Sequence, residues 1–396
     1  MTQRFGRIGG NGPLRGIRVI DCSTTLMGPY ATQLMAQLGA EVIKIEQPGG
    51  DITRSIGERD GDKLGPIYLN LNRGKSSVVL DLRQSDQYQA FLDYVAQCDV
   101  LLHNKPPATA RRLRIDYDSL LGVNDRMIYC AVQGFGSNGP YRDLPAYDDI
   151  IQAASGMAAV QGGPGGKPEY VRAPIADKVC ALFALSSVCA ALYARDHGAG
   201  GQAIEVPMFE CMTSFVLTEA QGDWVFSPPR GEPGYARINS PHRKPFETAD
   251  GTIAVMPNTD AHWRAFFKVV GAEQMSEDPR YCDIDARTRN IDSLYAFLAQ
   301  ELRSRPTGEW LVALKESGIP VMPVLTVPRL FDNEHLRAAA LFETVKHPVA
   351  GSLRQARMPV TFSRTACVDV APAPVLGADS DQDDQSRHDT KEKETP

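Results

Sequence analysis

Short apolar runs and helix-like segments alternate along the first third of the chain. The run RGIRVIDCS (15–23) precedes the helix-like GPYATQLMAQLGA (28–40), and EVIKIEQP (41–48) follows as a second strand-like run. Further strand-like runs are KSSVVLDLR, DVLLHN and RMIYCAVQGFG, with helix-like segments between them. Strands that alternate with helices are typical of βαβ units. The sequence therefore predicts an α/β domain with a doubly wound, mostly parallel sheet.

The amino-acid composition changes after residue 226, where proline, glycine and charged residues become frequent. The later segment PFETADGTIAVMP predicts a hairpin, and helix-like stretches follow it, so we expect a smaller α+β domain. The last residues lack periodicity and are mostly polar, which is typical of a disordered tail. The predicted domains are a large one (13–221 with 327–363), a small one (240–320), linkers (222–239 and 321–326) and the tail (364–396).

Composition excludes several classes of function. The formal net charge of −6 argues against a nucleic-acid surface, which usually shows a basic excess. The eight cysteines are scattered singly, without zinc-ligand spacing, so we expect a reduced, cytoplasmic protein without a metal. We find no signal-peptide core and no stretch with the length and apolarity of a membrane span, so no membrane partner is expected.

Common nucleotide and hydrolase motifs are missing from the sequence. QGGPGGKP (161–168) has proline after Lys167 and so differs from the phosphate-binding P-loop. The first strand-to-helix turn lacks the G-x-G-x-x-G of dinucleotide-binding proteins, and no G-x-S-x-G elbow occurs. A nicotinamide dehydrogenase and a serine hydrolase of the usual α/β type are therefore disfavoured.

Asp177 stands at the head of a helix that is apolar on nearly every face, ADKVCALFALSSVCAALYAR. Its simplest role is an N-cap, in which the carboxylate accepts a hydrogen bond from first-turn amides. The same amides and the helix dipole would keep that carboxylate ionised in apolar surroundings, and an ionised carboxylate is a nucleophile. The residues alone leave both roles open.

Several blocks of the sequence resemble one enzyme family, in order and in register from about residue 13 to 363. The resemblance is to the class III coenzyme A transferases, which include formyl-CoA transferase, carnitine CoA-transferase and the α-methylacyl-CoA racemases. The blocks are GPYATQLMAQLGAEVIKIEQPGGDITR, NLNRGKSSVVLDLR, DVLLHN, QGFGSNGPYRDLPAYDDIIQAASGM, ADKVCALFALSSVCAALYAR and FETADGTIAV.

The resemblance implies a covalent mechanism at Asp177. This residue matches the family's nucleophile, which attacks the thioester of a donor acyl-CoA to give a mixed anhydride and then an aspartyl-CoA thioester. The acceptor carboxylate repeats these steps in reverse. The resemblance also implies CoA as a substrate, with no tightly bound cofactor, and a homodimer whose two chains are interlocked as rings.

For CoA itself, the resemblance implies contacts by Asn104, Lys105 and Arg112, since an arginine fork suits the phosphates. Gln133 and Phe135, in VQGFG, match the positions that line the pantetheine channel.

The sequence also departs from the family at the substrate site. Leu26 replaces a glutamine of the formyl and oxalyl branch, Gln47 stands where an arginine lies beside the adenine, and RINSPHRKP replaces a tetraglycine flap. Leucine at position 26 favours a less polar or larger acid.

Two alternative functions remain open on the sequence. An acyl-CoA racemase would use a histidine in the loop that matches PAYDD, where this chain has Tyr147 followed by Asp148. Tyrosine is a poor base at neutral pH, which favours the transferase. The remote alternative is an acyl-CoA-binding protein without catalytic activity.

Overall fold

The computed structural model of the protein describes residues 5, 11–58 and 61–380. Its described residues fall into two compact units. The first comprises the described parts of Met1–Ser155, Val171–Ser214 and His335–Pro396, and the second comprises Gly156–Tyr170 and Phe215–Glu334. The sequence-based boundaries at 221 and 327 lie a few residues from these divisions, and the assignment of 156–170 to the second unit was not predicted.

The described residues form eleven strands and sixteen α-helices. The strands are β1 (Arg18–Asp21), β2 (Glu41–Glu46), β3 (Lys75–Val79), β4 (Val100–His103), β5 (Ile128–Gln133), β6 (Gln202–Pro207), β7 (Phe246–Glu247), β8 (Thr252–Val255), β9 (Val321–Pro323), β10 (Phe342–His347) and β11 (Gly351–Ala356). The helices are α1 (Met27–Gln37), α2 (Pro66–Leu71), α3 (Ser85–Val95), α4 (Pro107–Leu113), α5 (Tyr117–Leu121), α6 (Asp148–Ala154), α7 (Met157–Gly162), α8 (Ile175–Ala194), α9 (Met208–Ala220), α10 (Ala236–Asn239), α11 (Asp260–Val269), α12 (Ile284–Arg289), α13 (Ile291–Leu302), α14 (Thr307–Glu316), α15 (Val327–Leu330) and α16 (Glu334–Ala338).

The first unit is built on a six-stranded sheet in the order β3-β2-β1-β4-β5-β6, with every pair parallel. Val19 of β1 pairs with Val42 on one side and with Val100 on the other. The strand order reverses between β1 and β4, and such switch points form a crevice at the carboxyl ends of the strands, where ligands bind. The predicted doubly wound α/β domain is confirmed.

The central strands of this sheet are buried, as is typical of parallel sheets. Val19 and Ile20 in β1 and Leu101 and Leu102 in β4 are fully buried. β10 and β11 form a separate antiparallel hairpin in the same unit, in which Phe342 pairs with Ala356.

The second unit has a small antiparallel sheet in the order β7-β8-β9. Its core contains Trp263, Phe266 and Trp310, all buried against the helices of that unit. The smaller α+β part of the predicted fold is therefore confirmed. Residues 321–323, which we predicted as part of a linker, form its third strand, β9. Between α6 and α7 the chain passes through Gly156, which adopts a φ of 86°.

Helix α8 is longer and more apolar than the sequence analysis allowed. With the turn that follows it (Ile175–Ala199), it is long and apolar enough to cross a membrane by length and composition. The prediction that no segment has these properties is therefore wrong. Only 39% of its most apolar window is buried, and Leu182, Phe183 and Tyr193 are exposed along it. In the first unit α8 packs against α1, α6, β5 and β6.

The segment 364–380 has defined contacts with the large sheet, although we predicted it as the start of a disordered tail. The Gly74 N–H donates to the Ala371 carbonyl (2.8 Å), and the Ser77 N–H donates to the Asp379 carboxylate (2.8 Å). Ala373 is buried. These bonds lie beside β3, an edge strand that would otherwise present unpaired backbone groups. The rest of the predicted tail, 381–396, lies outside the described residues.

Candidate active site

The turn after β1 lies where the strand order of the large sheet reverses. The Thr24 N–H donates to Asn104 Oδ1 (3.0 Å), and Asn104 Nδ2 donates to the Thr24 carbonyl (2.8 Å). Thr25 has a φ of 76°, a left-handed conformation that is strained for a β-branched residue. Its N–H donates to Asp51 Oδ1 (3.2 Å). Asn104, for which the resemblance implied a CoA contact, thus holds the shape of this turn.

Six charged side chains next to this turn form what we call the buried charge cluster. They are three carboxylates and three cations, none more than 5% exposed. Burial by itself would raise the pKa of Asp21, but the neighbouring ammonium groups hold it well below its usual range. Lys44 Nζ also donates to the Ser23 carbonyl (2.7 Å), which ties the cluster to the turn. The ion pairs are Lys75–Asp21 (2.9 Å), Lys44–Asp51 (3.0 Å) and Arg54–Glu46 (2.6 Å).

A cavity of about 510 Å³ opens at the switch point. Its lining includes Cys22, Ser23 and Thr24 from the turn, together with Lys105 and Arg112. Gln47, which replaces the family's arginine, lines it as well. Lys105 is half-buried and Arg112 is exposed, and within the described part of the chain neither forms an ion pair. Burial lowers the pKa of Lys105. This cavity has the size of a ligand site and carries two cations that are free for an anion.

A second cavity, of about 450 Å³, contains Asp177. One wall is a single face of α1 together with Leu26, the residue before that helix. The lining residues on this face are at positions 26, 30, 33, 34 and 37, which follow helical spacing. The other walls come from α2 and the turn after it, from the start of α8, and from the C-terminal hairpin. Leu26 and Asp177 therefore line one cavity. We call this space the Asp177 cavity.

Asp177 is the third residue of α8, whose N-cap is Pro174. The carboxylate of Asp177 accepts no hydrogen bond and forms no ion pair among the described residues, so it is not an N-cap. Burial, and after it the charge of Asp148, raise the pKa of Asp177 to about 7. The interpretation that first-turn amides keep this group ionised is therefore wrong, because no amide contacts the carboxylate. Asp177 is therefore protonated more readily than an ordinary aspartate.

Asp148 and Gln152 hold the start of α8 from a neighbouring helix. Asp148 Oδ1 accepts the Asp177 N–H (3.0 Å), and Asp148 Oδ2 accepts from Gln152 Nε2 (2.6 Å). Gln152 Oε1 in turn accepts the Val171 N–H (2.9 Å). Asp148 therefore satisfies an orphan first-turn amide of α8 from outside that helix. Sequence reasoning placed Asp148 only in a loop of interest and gave it no role.

Gln133 and Phe135 stand apart from both cavities. Gln133 ends β5, and its Oε1 is buried without a hydrogen-bond partner. Phe135 is buried, with its ring edge-on to Tyr141 at 5.6 Å and near Phe209 at 5.7 Å. In these contacts Phe135 is part of an aromatic cluster, and a role for either residue in a pantetheine channel stays a prediction.

Apart from Gln133 and Phe135, the predicted site residues lie in two groups within the first unit. Leu26 and Asp177 share one cavity, Lys105 and Arg112 share the other, and Asn104 holds the turn that contributes to both linings. Within the described residues, no group of three or more His, Cys, Asp or Glu side chains could hold a metal ion. The arrangement supplies an unpaired carboxylate for covalent chemistry and separate cations for an anionic ligand.

Comparisons with known proteins show which family the chain resembles. The model of "CoA-transferase family III" matches residues 14–380. An acetyl-CoA:oxalate CoA-transferase from Acetobacter aceti is 36% identical over 322 residues, which are 80% of this chain and 82% of the relative. A succinate–glutarate CoA-transferase from Agrobacterium fabrum is 30% identical over 376 residues, 92% of this chain and 93% of the relative.

Solved structures show the same fold over nearly the whole chain. A CAIB/BAIF family protein from Brucella suis superposes with a TM-score of 0.81 at 26% identity, covering 95% of this chain and 100% of that one. The Rv3272 protein from Mycobacterium tuberculosis superposes with a TM-score of 0.80 at 28% identity, covering 93% and 98%. With the family model matched from residue 14 to 380, the chain belongs to CoA-transferase family III.

Proposed function

We propose that this CoA-transferase moves CoA from an acyl-CoA donor to a carboxylic acid through covalent intermediates on Asp177. The observation that carries this proposal is the Asp177 carboxylate itself, which is unpaired in a cavity of about 450 Å³. A carboxylate used only for structure is normally paired or hydrogen-bonded when it is buried. A nucleophile has to keep its lone pairs free for the substrate.

The reaction then proceeds by double displacement. Asp177 attacks the carbonyl carbon of the thioester, the carbon–sulfur bond breaks, and the CoA thiolate leaves an acyl-aspartyl anhydride. The thiolate attacks the aspartyl carbonyl of the anhydride and releases the donor acid, which leaves an aspartyl-CoA thioester. The acceptor carboxylate attacks that thioester and displaces the CoA thiolate, which gives a new acyl-aspartyl anhydride. The thiolate then attacks the acyl carbonyl of this anhydride, which gives the new acyl-CoA and free Asp177. Each step exchanges one acyl bond for another, so neither an oxidant nor water is needed.

The turn after β1 offers a path for CoA between the two cavities. Ser23 and Thr24 line the cavity with Lys105 and Arg112, and Leu26, two residues further on, lines the Asp177 cavity. We place the phosphates of CoA at Lys105 and Arg112 and the thioester at Asp177. CoA is thus a substrate that binds and dissociates, and we propose no tightly bound cofactor.

Trapping of the covalent intermediate tests this function. The protein is incubated with acetyl-CoA, succinyl-CoA or glutaryl-CoA, quenched with hydroxylamine and mapped by mass spectrometry. We expect an aspartyl hydroxamate at Asp177 with the true donor, and none in the Asp177→Asn variant. The relatives named for oxalate, succinate and glutarate make dicarboxylic acids the first acceptors to test. A protein that binds CoA but stays unmodified with every donor would contradict the mechanism.

The pH dependence of turnover should report the ionisation of Asp177. Because its pKa is raised to about 7 and the ionised form attacks, kcat/KM should fall as pH drops through about 7. Asp148→Asn keeps an oxygen to accept the Asp177 N–H but removes the neighbouring negative charge. The pH at which kcat/KM falls should therefore be lower in this variant. The control Asp149→Asn changes an exposed carboxylate of the same helix and should leave this pH unchanged. An identical profile in Asp148→Asn would refute the assigned cause.

CoA affinity should depend on Arg112 and not on its neighbour. Arg112→Ala removes a cation from the 510 Å³ cavity, and we expect a Kd for CoA about 10-fold weaker by calorimetry. Arg111 is also exposed but does not line that cavity, so Arg111→Ala is the matched control. The loss should shrink at high salt, because exposed charges are screened. Equal Kd values for the two variants would remove Arg112 from the CoA site.

We propose that two copies of the chain form a homodimer in the cytoplasm. The support is the exposed apolar side of α8, where Tyr193 is 68% exposed and Leu182 and Phe183 are exposed as well. Contiguous exposed apolar surface of this kind marks interaction sites. The racemase alternative gains nothing from the structure, because Tyr147 is exposed and lines neither cavity.

A further inference from the structure

Two buried polar side chains in the Asp177 cavity lack the partners that buried polar groups normally have. Gln33 of α1 is 2% exposed, and its Oε1 has no hydrogen-bond partner. Arg73, in the turn between α2 and β3, is 6% exposed. One nitrogen of its guanidinium, Nη1, donates to the Ala356 carbonyl (2.7 Å), whereas Nε is buried without an acceptor. Both residues line the cavity that contains Asp177.

An arginine in this state is unusual on energetic grounds. A buried cation is normally paired, because its removal from water costs several kcal/mol that only a nearby anion offsets. Burial lowers the pKa of Arg73, and the charge of Glu343 acts against that effect without forming an ion pair with it. An arginine still keeps its charge, since its ordinary pKa is far above neutrality. The guanidinium therefore has an unmet requirement for an anion.

The other cations of the cavity do not share this property. Arg357 is paired with Asp369 and, at 3.8 Å, with Glu343. Lys178 is exposed to solvent. In the described part of the cavity lining, Arg73 is thus the buried cation with free donors.

The position of Arg73 relative to Asp177 limits what the anion can be. The two side chains line one cavity but form no ion pair, and the side chains of Leu26, Leu34 and Leu71 contribute apolar walls. In the proposed reaction the acid's reacting carboxyl group is joined to Asp177 or to CoA and carries no full charge there. A monocarboxylic acid would then leave Arg73 unpaired, whereas a second carboxylate on the same acid would pair with it.

We propose that Arg73 binds the second carboxylate of a dicarboxylic acid while the first carboxyl group reacts at Asp177. This inference rests on the proposed function, and it names the substrate class of that site. The second carboxylate keeps its charge throughout and takes no part in bond making. The apolar walls contact the carbon chain between the two groups, which agrees with the presence of leucine at position 26.

Matched pairs of acceptors test this role. Succinate is compared with butyrate, and glutarate with valerate, since the members of each pair differ only in whether a carboxylate or a methyl group ends the chain. Because both are measured on one preparation, the ratio of their kcat/KM values is independent of the fraction of folded enzyme. We expect the wild-type protein to favour the diacid by about 10²- to 10³-fold, and Arg73→Met to lower that ratio about 10²-fold.

Two further variants separate charge from geometry. Arg73→Lys keeps the charge without the planar fork and should retain part of the preference. Lys178→Met removes an exposed cation from the same cavity and should leave the ratio unchanged. An unchanged ratio in Arg73→Met, or equal wild-type rates for diacid and monoacid, would overturn the role of Arg73 while the covalent transfer stands. A wild-type protein that forms no adduct at Asp177 with any donor would overturn both proposals.

Discussion

Asp177→Asn should abolish CoA transfer and, at the same time, make the protein more stable at alkaline pH. Loss of the nucleophile removes the covalent route, and we expect turnover to fall by about 10⁴-fold or more. The gain in stability follows from the environment of the carboxylate. Burial and the charge of Asp148 disfavour its ionised form, which raises the pKa from 3.8 to about 7. Asparagine has nearly the same shape and carries no charge to bury.

The sign of this effect depends on pH. Between pH 3.8 and about 7 the folded protein holds the Asp177 proton more tightly than the unfolded chain does, so ionisation costs stability as the pH rises. The difference between Asp177→Asn and wild type should therefore be close to zero near pH 4. It should grow through neutrality and reach about 1–3 kcal/mol near pH 8, since the site is only partly shielded from solvent.

Urea unfolding at about pH 4 and pH 8, with transfer assays on the same preparations, measures both effects. Asp149→Asn is the matched control, because Asp149 is exposed in the first turn of α6, where a negative charge favours the helix. That variant should keep its activity and gain no stability at pH 8. An Asp177→Asn protein that is inactive but also less stable at pH 8 would show that the carboxylate is structural and would argue against an unpaired nucleophile.

Much of the fold was predictable because its signals are local. The alternation of apolar runs with helix-like segments is set by residues close in sequence, and it predicted the parallel sheet. The position of the switch-point turn followed from the same pattern, because strand ends of a parallel sheet lie at one edge. The resemblance then singled out Asp177 and the residues expected to contact CoA. Of the latter, the structure brings Lys105 and Arg112 into one cavity.

What the sequence could not predict depends on contacts between distant segments. Asp148 accepts the amide of Asp177, which lies 29 residues away, and neither residue's local sequence indicates the other. The Ser77 N–H donates to the Asp379 carboxylate, 302 residues further along the chain. The sequence gives no sign of this contact, so the polar segment before Asp379 was predicted to be a tail. Arg73 sits in a run of polar residues typical of a surface turn, and only the fold shows that its side chain is buried.

The buried charge cluster was missed for a related reason. In a strand buried on both faces, alternation gives no information about where a polar residue points. Lys44 stands inside EVIKIE between Ile43 and Ile45, and a charged residue with apolar neighbours on both sides was the available signal. Asp21 ends β1 and Lys75 begins β3, and residues at strand ends usually face solvent. The two side chains come into contact because β1 and β3 lie in the same sheet, with β2 between them.

This cluster leads to the largest expected loss of stability. Lys75 Nζ contacts Asp21 Oδ2 at 2.9 Å and donates to the Pro29 carbonyl and to Asn72 Oδ1, all in the interior. Burial lowers the pKa of Lys75 to about 8, with Asp21 acting against that effect, so the ammonium is charged at neutral pH. Its removal would leave the buried Asp21 carboxylate with less neighbouring positive charge.

We expect Lys75→Met to destabilise the protein by about 3–5 kcal/mol, which is the usual cost when one partner of a buried ion pair is removed. The matched control is Arg83→Met, because the Arg83–Asp81 pair is as close, at 2.8 Å against 2.9 Å, but its arginine is 76% exposed. That change should leave the unfolding curve nearly unchanged, since exposed pairs contribute little. Urea unfolding followed by circular dichroism makes the comparison. Equal midpoints for Lys75→Met and wild type would mean that Lys44 alone compensates Asp21. In that case Lys75 would not be needed to hold the turn that supports the active site.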